Sequence, residues 1–138
     1  MQSVRVRRAL RAAQWLFPVL LLVLARPVSP APAPRVFTDP DKGATVQLQA
    51  GDLIEIHLQC NPTTGYYWYL LPQSTRLMKL TGQSQTEPDQ PGVGRPVVQI
   101  FKFQAVGRGD GVVLLHYVRS WEPPSPTDQQ FDLHVSIR

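Results

Sequence analysis

The sequence predicts an all-β domain, an antiparallel β-sandwich of about seven strands. Three observations carry this expectation. From Val36 onward, short runs that alternate apolar and polar residues are separated by Gly, Pro and Asp. No stretch keeps a helical period, and neither a heptad nor an internal repeat is present. A chain of 138 residues accommodates one domain with one core rather than two.

The first thirty-odd residues stand apart from this pattern. Arg5, Arg7, Arg8 and Arg11 precede the apolar run Trp15 to Ala25, and small residues follow. That order is the pattern of an export signal. The run falls short of the roughly 20 residues that span a bilayer, and Pro18 interrupts it. We therefore expect a signal peptide over 1–25, with cleavage after Val23-Leu24-Ala25 or as late as Ala31-Pro32-Ala33. Residues 26–35 (RPVSPAPAPR) read as a proline-rich tether, and 36–138 as the folded domain. Membrane contact is expected only through the export signal, and the destination is the periplasm or an extracellular or secretory compartment.

The predicted strands are roughly 45–49, 53–60, 66–71, 76–81, 96–106, 111–119 and 130–137. In the second, Ile54, Ile56, Leu58 and Cys60 share one face, while Glu55, His57 and Gln59 share the other. In the last, Phe131, Leu133, Val135 and Ile137 point inward, and Asp132, His134 and Ser136 outward. Trp68 falls where a central aromatic sits in an immunoglobulin-like sandwich, which refines the fold expectation to that class.

Three connections are too long or too unusual to be simple turns: 61–65, 83–96 and 120–129. With strands in this order, all three gather at one end and form a candidate binding surface. The glycines of Gly107-Arg108-Gly109-Asp110-Gly111 suggest a tight hairpin at the opposite end. An adhesive role for Arg108-Gly109-Asp110 is the weaker reading of that segment.

Charge and chemistry narrow the function. All ten acidic residues lie beyond Pro34, against nine of the fourteen basic ones, so the exported part carries 9 − 10 = −1. A nucleic-acid partner is excluded, because phosphate binding needs a clustered basic surface. Cys60 is the single cysteine, so no intramolecular disulfide forms, and its strand position predicts a buried, inert thiol. Catalysis would need Cys60 beside a histidine, yet His57 lies three residues away and so points to the opposite face. His57, His116 and His134 lack zinc-ligand spacing. We expect no enzyme activity, metal or cofactor, and a monomer when free.

In Asn61-Pro62-Thr63-Thr64-Gly65-Tyr66, Pro62 fixes one φ, Gly65 permits a positive one, and Asn61 is placed to bond its own backbone two residues on. The combination favours a stiff, protruding loop, which loses little entropy on docking. Asn61-Pro62-Thr63 is not a glycosylation acceptor, because proline occupies the excluded position.

This motif, together with Gly92-Val93-Gly94-Arg95 and Arg119-Ser120-Trp121 in the same order, resembles the chagasin-like inhibitors of papain-like cysteine peptidases. That family shows N-P-T-T-G-aromatic, G-x-G-G and R-P-aromatic loops. The first match is complete, whereas Arg95 replaces a glycine and Ser120 a proline. The resemblance spans about Gly43 to the C-terminus. It implies a wedge of three loops entering the peptidase cleft, with Thr63-Thr64-Gly65 nearest the catalytic cysteine and with reversible, steric inhibition. Trp121 is the expected anchor, and Gly92 and Gly94 allow close backbone approach. Arg119 either bonds the partner or braces the loop, and Tyr66 packs beneath it. The alternative reading is a generic immunoglobulin-like adhesion or carbohydrate-binding module.

Overall fold

The computed structural model describes residues 32–87, 92 and 94–138; the expected signal peptide, most of the tether and Val93 lie outside the described residues. Eight strands form two four-stranded sheets. They are β1 (Arg35–Thr38), β2 (Thr45–Leu48), β3 (Leu53–Cys60), β4 (Tyr66–Leu70), β5 (Met78–Gln85), β6 (Val97–Ala105), β7 (Gly109–Arg119) and β8 (Gln129–Ile137). One sheet runs β1-β3-β6-β5 and the other β2-β8-β7-β4.

The period-2 reading holds at the core. Ile54, Ile56, Leu58 and Cys60 from β3 meet Phe101 and Phe103 from β6, Val113 and Leu115 from β7, and Phe131, Leu133, Val135 and Ile137 from β8, all buried. Trp68 is 2% exposed and occupies the central position expected of it. Burial of this apolar area at roughly 25 cal/mol per Å² is what holds a sandwich without a disulfide together.

The sheets are mixed rather than purely antiparallel. β1 pairs parallel with β3, and β2 pairs parallel with β8. β1 was not expected, and it takes Arg35 from the predicted tether. Its only buried residue is Phe37, so its register with β3, Phe37 opposite Ile56, defines it more than its own pattern does. A single 3-10 turn over Asp39–Asp41 then carries the chain to the second sheet, with the Asp41 carboxylate accepting the Thr38 amide at 2.7 Å.

Two further expectations are corrected. β5 continues to Gln85, past the predicted end at 81, because the ladder with β6 absorbs Thr81 in a bulge between Leu80 and Gly82, and Gly82 resumes pairing opposite Lys102. The predicted hairpin at 107–111 is instead a short crossing between the sheets, since β6 and β7 belong to different ones. The amides of Val106 and Gly107 both donate to the Leu77 carbonyl, at 2.9 and 3.3 Å. Leu77 lies so close that a Cβ on Gly107 would fall 2.6 Å from its Cδ2, so a side chain there would have to displace that methyl. Asp110 already belongs to β7, and its carboxylate accepts the hydroxyl of Ser136 at 2.7 Å. That bond buries Ser136, a residue expected to face solvent.

The pairing fixes the ends of the sandwich. Cys60 opposes Val97 and Tyr66 opposes Arg119 at one end, while Leu53 opposes Gln104 and Gly109 opposes Ile137 at the other. The connections β3–β4, β5–β6 and β7–β8 therefore share the first end.

Candidate functional site

The tip loop is ordered by bonds that its own residues make. Pro62–Thr64 form one 3-10 turn, and Gly65 closes it in the left-handed region at φ 80°, with its amide donating to the Pro62 carbonyl at 2.9 Å. The Asn61 carbonyl accepts both the Thr64 amide (3.2 Å) and the Thr64 hydroxyl (2.7 Å). The Asn61 side chain does not bond the backbone two residues on; its Oδ1 accepts the Thr63 hydroxyl at 2.6 Å. Thr63 and Thr64 are exposed at the apex.

The second loop is bonded to the first. The Gly94 amide donates to Thr63 Oγ1 at 3.0 Å, and Asn61 Nδ2 donates to the Gly94 carbonyl at 3.5 Å. Gly94 sits at φ +77°, a conformation that L side chains rarely adopt. Gly92 and Arg95 are exposed beside it.

The third loop is bonded to the first from the other side. Arg119 Nε donates to the Thr64 carbonyl at 2.9 Å, while Nη1 donates to Glu122 at 2.8 Å. Its guanidinium lies 4.4 Å from the Tyr66 ring centroid and 6.0 Å from that of Trp121. Both geometries are within cation–π range. The hydrogen bond to Glu122 pushes the Arg119 pKa above its usual value, so the brace stays charged. Of the two readings of Arg119, the bonds are those of a brace. Trp121 is 68% exposed, yet one edge of its indole lies against Gly65.

Beneath the tip, Tyr66 stacks on Tyr117 with centroids 5.2 Å apart, and Tyr117 lies 5.0 Å from Trp68. The Tyr117 hydroxyl accepts the Asn61 amide at 2.9 Å. Burial pushes the Tyr117 phenol above its usual pKa, which leaves it a neutral hydroxyl. Tyr117 was missed by the sequence reading. Its signal was available, because a tyrosine on the inward face of a strand needs a partner for its hydroxyl.

The arrangement holds no catalytic pair. Cys60 is buried, and desolvation raises its thiol pKa, which disfavours the thiolate. His57 bonds Glu55 at 2.7 Å on the outer face, and His134 lies 3.2 Å from Asp132. The tip itself carries amides, hydroxyls and glycine, with no ionisable side chain.

Comparison with known proteins identifies the family. Residues 47–135 match the model of the chagasin family peptidase inhibitor I42. Chagasin of Trypanosoma cruzi is 30% identical over 102 residues, covering 71% of this chain and 93% of that one. Amoebiasin-2 of Entamoeba histolytica is 29% identical over 104 residues, covering 75% and 85%. The crystal structure of the cysteine protease inhibitor EhICP2 from Entamoeba histolytica superposes with a TM-score of 0.66 at 28% identity, covering 75% of this chain and 95% of that one. The structure of PbICP-C in complex with falcipain-2 shares the fold, at a TM-score of 0.51 and 20% identity, covering 76% and 91%. The chain belongs to the chagasin family of peptidase inhibitors.

Proposed function

We propose that this protein inhibits papain-like cysteine peptidases reversibly and without a covalent step, by seating Thr63-Thr64-Gly65 in the active-site cleft with the other two loops on either side. The observation that supports this reading most is the cross-bonding of three loops into one block. Thr63 is held by Gly94 and Thr64 by Arg119, so the apex is shaped before any partner arrives. A preordered loop loses less conformational entropy on binding, and affinity rises without added contacts.

The same bonds account for resistance to cleavage. A peptidase needs an extended substrate with its carbonyl in near-attack geometry. Here the Thr64 carbonyl is already accepting a hydrogen bond from Arg119, and the next residue turns into the left-handed region. In this reading the tip fills the cleft but withholds a reactive carbonyl. Trp121, largely exposed, is the anchor on one flank, since a stiff aromatic covers much area with few rotamers to lose. Gly92 and Gly94 flank the other side with backbone alone.

We place the mature inhibitor outside the cytoplasm, on the basic and apolar order of the first 25 residues, and as a monomer when free. The experiment is a titration of the purified chain against papain and a cathepsin L-like peptidase. Stoichiometric or submicromolar, active-site-competitive inhibition is expected. Thr64→Trp should abolish it with the fold intact, and Asp110→Ala, at the far end, should leave it unchanged. Failure to inhibit any papain-like enzyme would overturn the reading.

A further inference from the structure

We propose that Tyr117, supported by Trp68, is a positioning residue that fixes the height and direction of the inhibitory tip from the opposite sheet; this rests on the inhibitory reading above. β1 stops pairing with β3 at Thr38 opposite His57. Beyond that point the β1 side of β3 has no strand beside it among the described residues, and side chains take the place of one, although β6 continues on the other side to Cys60. Asp39 accepts the Gln59 amide at 3.2 Å, the Trp68 indole donates to the Gln59 carbonyl at 2.9 Å, and the Tyr117 hydroxyl accepts the Asn61 amide at 2.9 Å. Trp68 and Tyr117 stand on β4 and β7 of the second sheet. The root of the tip is thus fastened across the sandwich as well as by its pairing with β6.

Asn61 is where this fastening matters. Its carbonyl orders Thr64, and its side chain bonds the Thr63 hydroxyl and the Gly94 carbonyl. A displacement of Asn61 therefore reaches both threonines and the second loop together. The Tyr117 ring is in turn packed against Tyr66 and Trp68, which leaves its hydroxyl a narrow range of positions. Removing only the hydroxyl keeps that stacking and releases the Asn61 amide. A binding apex must be held to within about 0.5 Å of its productive geometry, so a loosened Asn61 weakens docking.

The test compares Tyr117→Phe with Ser74→Ala. Ser74 hydrogen-bonds the middle of β7, accepting the Leu114 amide at 2.8 Å and donating to the Leu114 carbonyl, away from the tip. Each variant loses hydrogen bonding that involves β7, Tyr117→Phe from a β7 side chain to Asn61 and Ser74→Ala to the β7 backbone, so a general loss of stability affects both. Inhibition constants against papain are measured where circular dichroism shows each variant fully folded, and amide hydrogen exchange is followed at Asn61, Thr64 and Gly65. We expect Tyr117→Phe to raise the inhibition constant by about 3- to 10-fold, the worth of one hydrogen bond, mainly through faster dissociation. Exchange at the three tip amides should quicken. Ser74→Ala should lower the melting temperature and change neither tip exchange nor inhibition. Unchanged tip exchange in Tyr117→Phe, or an equal loss of inhibition in Ser74→Ala, would overturn the proposal. If the unmodified chain inhibits no papain-like peptidase, the functional reading fails on its own, and the exchange data still decide whether Tyr117 positions the tip.

Discussion

The indole of Trp121 occupies the space that a side chain at Gly65 would need. A Cβ built on Gly65 would overlap Trp121 Cη2 and fall 2.9 Å from both Cζ2 and Cζ3. Glycine suits position 65 for its φ of 80°, and a side chain there would also have to push the Trp121 indole aside. The close approach also explains how a tryptophan 68% exposed keeps a defined place beside the apex.

Gly65→Ala follows from this contact. The substitution strains the turn by about 1 kcal/mol through its positive φ and displaces Trp121 from the tip. Inhibition should fall by more than tenfold, because both the apex and its flank move. The melting temperature should change little, since the core is untouched. Inhibition assays on the folded variant check this, and an unchanged inhibition constant would contradict the contact.

Arg119→Lys separates geometry from charge. The guanidinium reaches the Thr64 carbonyl through Nε and Glu122 through Nη1 at once. An ammonium keeps the charge but lacks the planar fork that serves both partners. We expect inhibition to weaken by roughly 5- to 30-fold, about 1–2 kcal/mol, with the tip amides exchanging faster. Full activity in the lysine variant would mean that charge alone suffices.

Much of the fold was legible in the alternating strands. Ile54 through Cys60 and Phe131 through Ile137 place their apolar faces by period alone, and the tip announces itself through Pro62 and Gly65. What was not legible depends on partners distant in sequence. β1 offers one inward residue, Phe37, and exists through its register with β3. Gly107 reads as a hairpin glycine until Leu77, thirty positions earlier, is seen to need its space. At the site, the three loops and their residues were visible as motifs, but the bonds that join them were not. Arg119 was balanced between partner contact and brace until its Nε was found on the Thr64 carbonyl.

Gln99 is a second case, a polar residue in an inward position of β6 that is only 4% exposed. Its side-chain amide receives the Trp68 amide at 2.8 Å and donates to the Trp68 carbonyl at 3.1 Å, as a neighbouring strand would. β4 is an edge strand with the sequence YYWYL, which invites pairing between copies. Gln99→Leu should leave both Trp68 groups without partners and cost about 2–4 kcal/mol. Denaturant unfolding should report that loss, and light scattering should show concentration-dependent dimers. Unchanged stability would show that Gln99 is dispensable there.

Glu55 contributes to stability in a way that depends on acid pH. The hydrogen bond from His57 (2.7 Å), with the Lys102 ammonium at 3.3 Å, holds its carboxyl below the ordinary value of 4.5 despite partial burial. A carboxylate depressed in the folded state contributes stability above its unfolded pKa and loses it as pH falls through the folded one. Glu55→Gln should therefore be less stable than the parent at neutral pH, with the difference closing below about pH 4.5. Denaturant titrations from neutral to acid pH measure the difference. A gap that persists in acid would assign the loss to packing.

The plug itself is tested most directly by competition for the cleft. Papain whose substrate subsites are filled by a covalent peptidyl inhibitor is immobilised beside free papain, and binding of the purified chain to each is measured. The account predicts tight binding to the free enzyme and none to the filled one. Equal binding to both would place the contact outside the active site and contradict the three-loop plug.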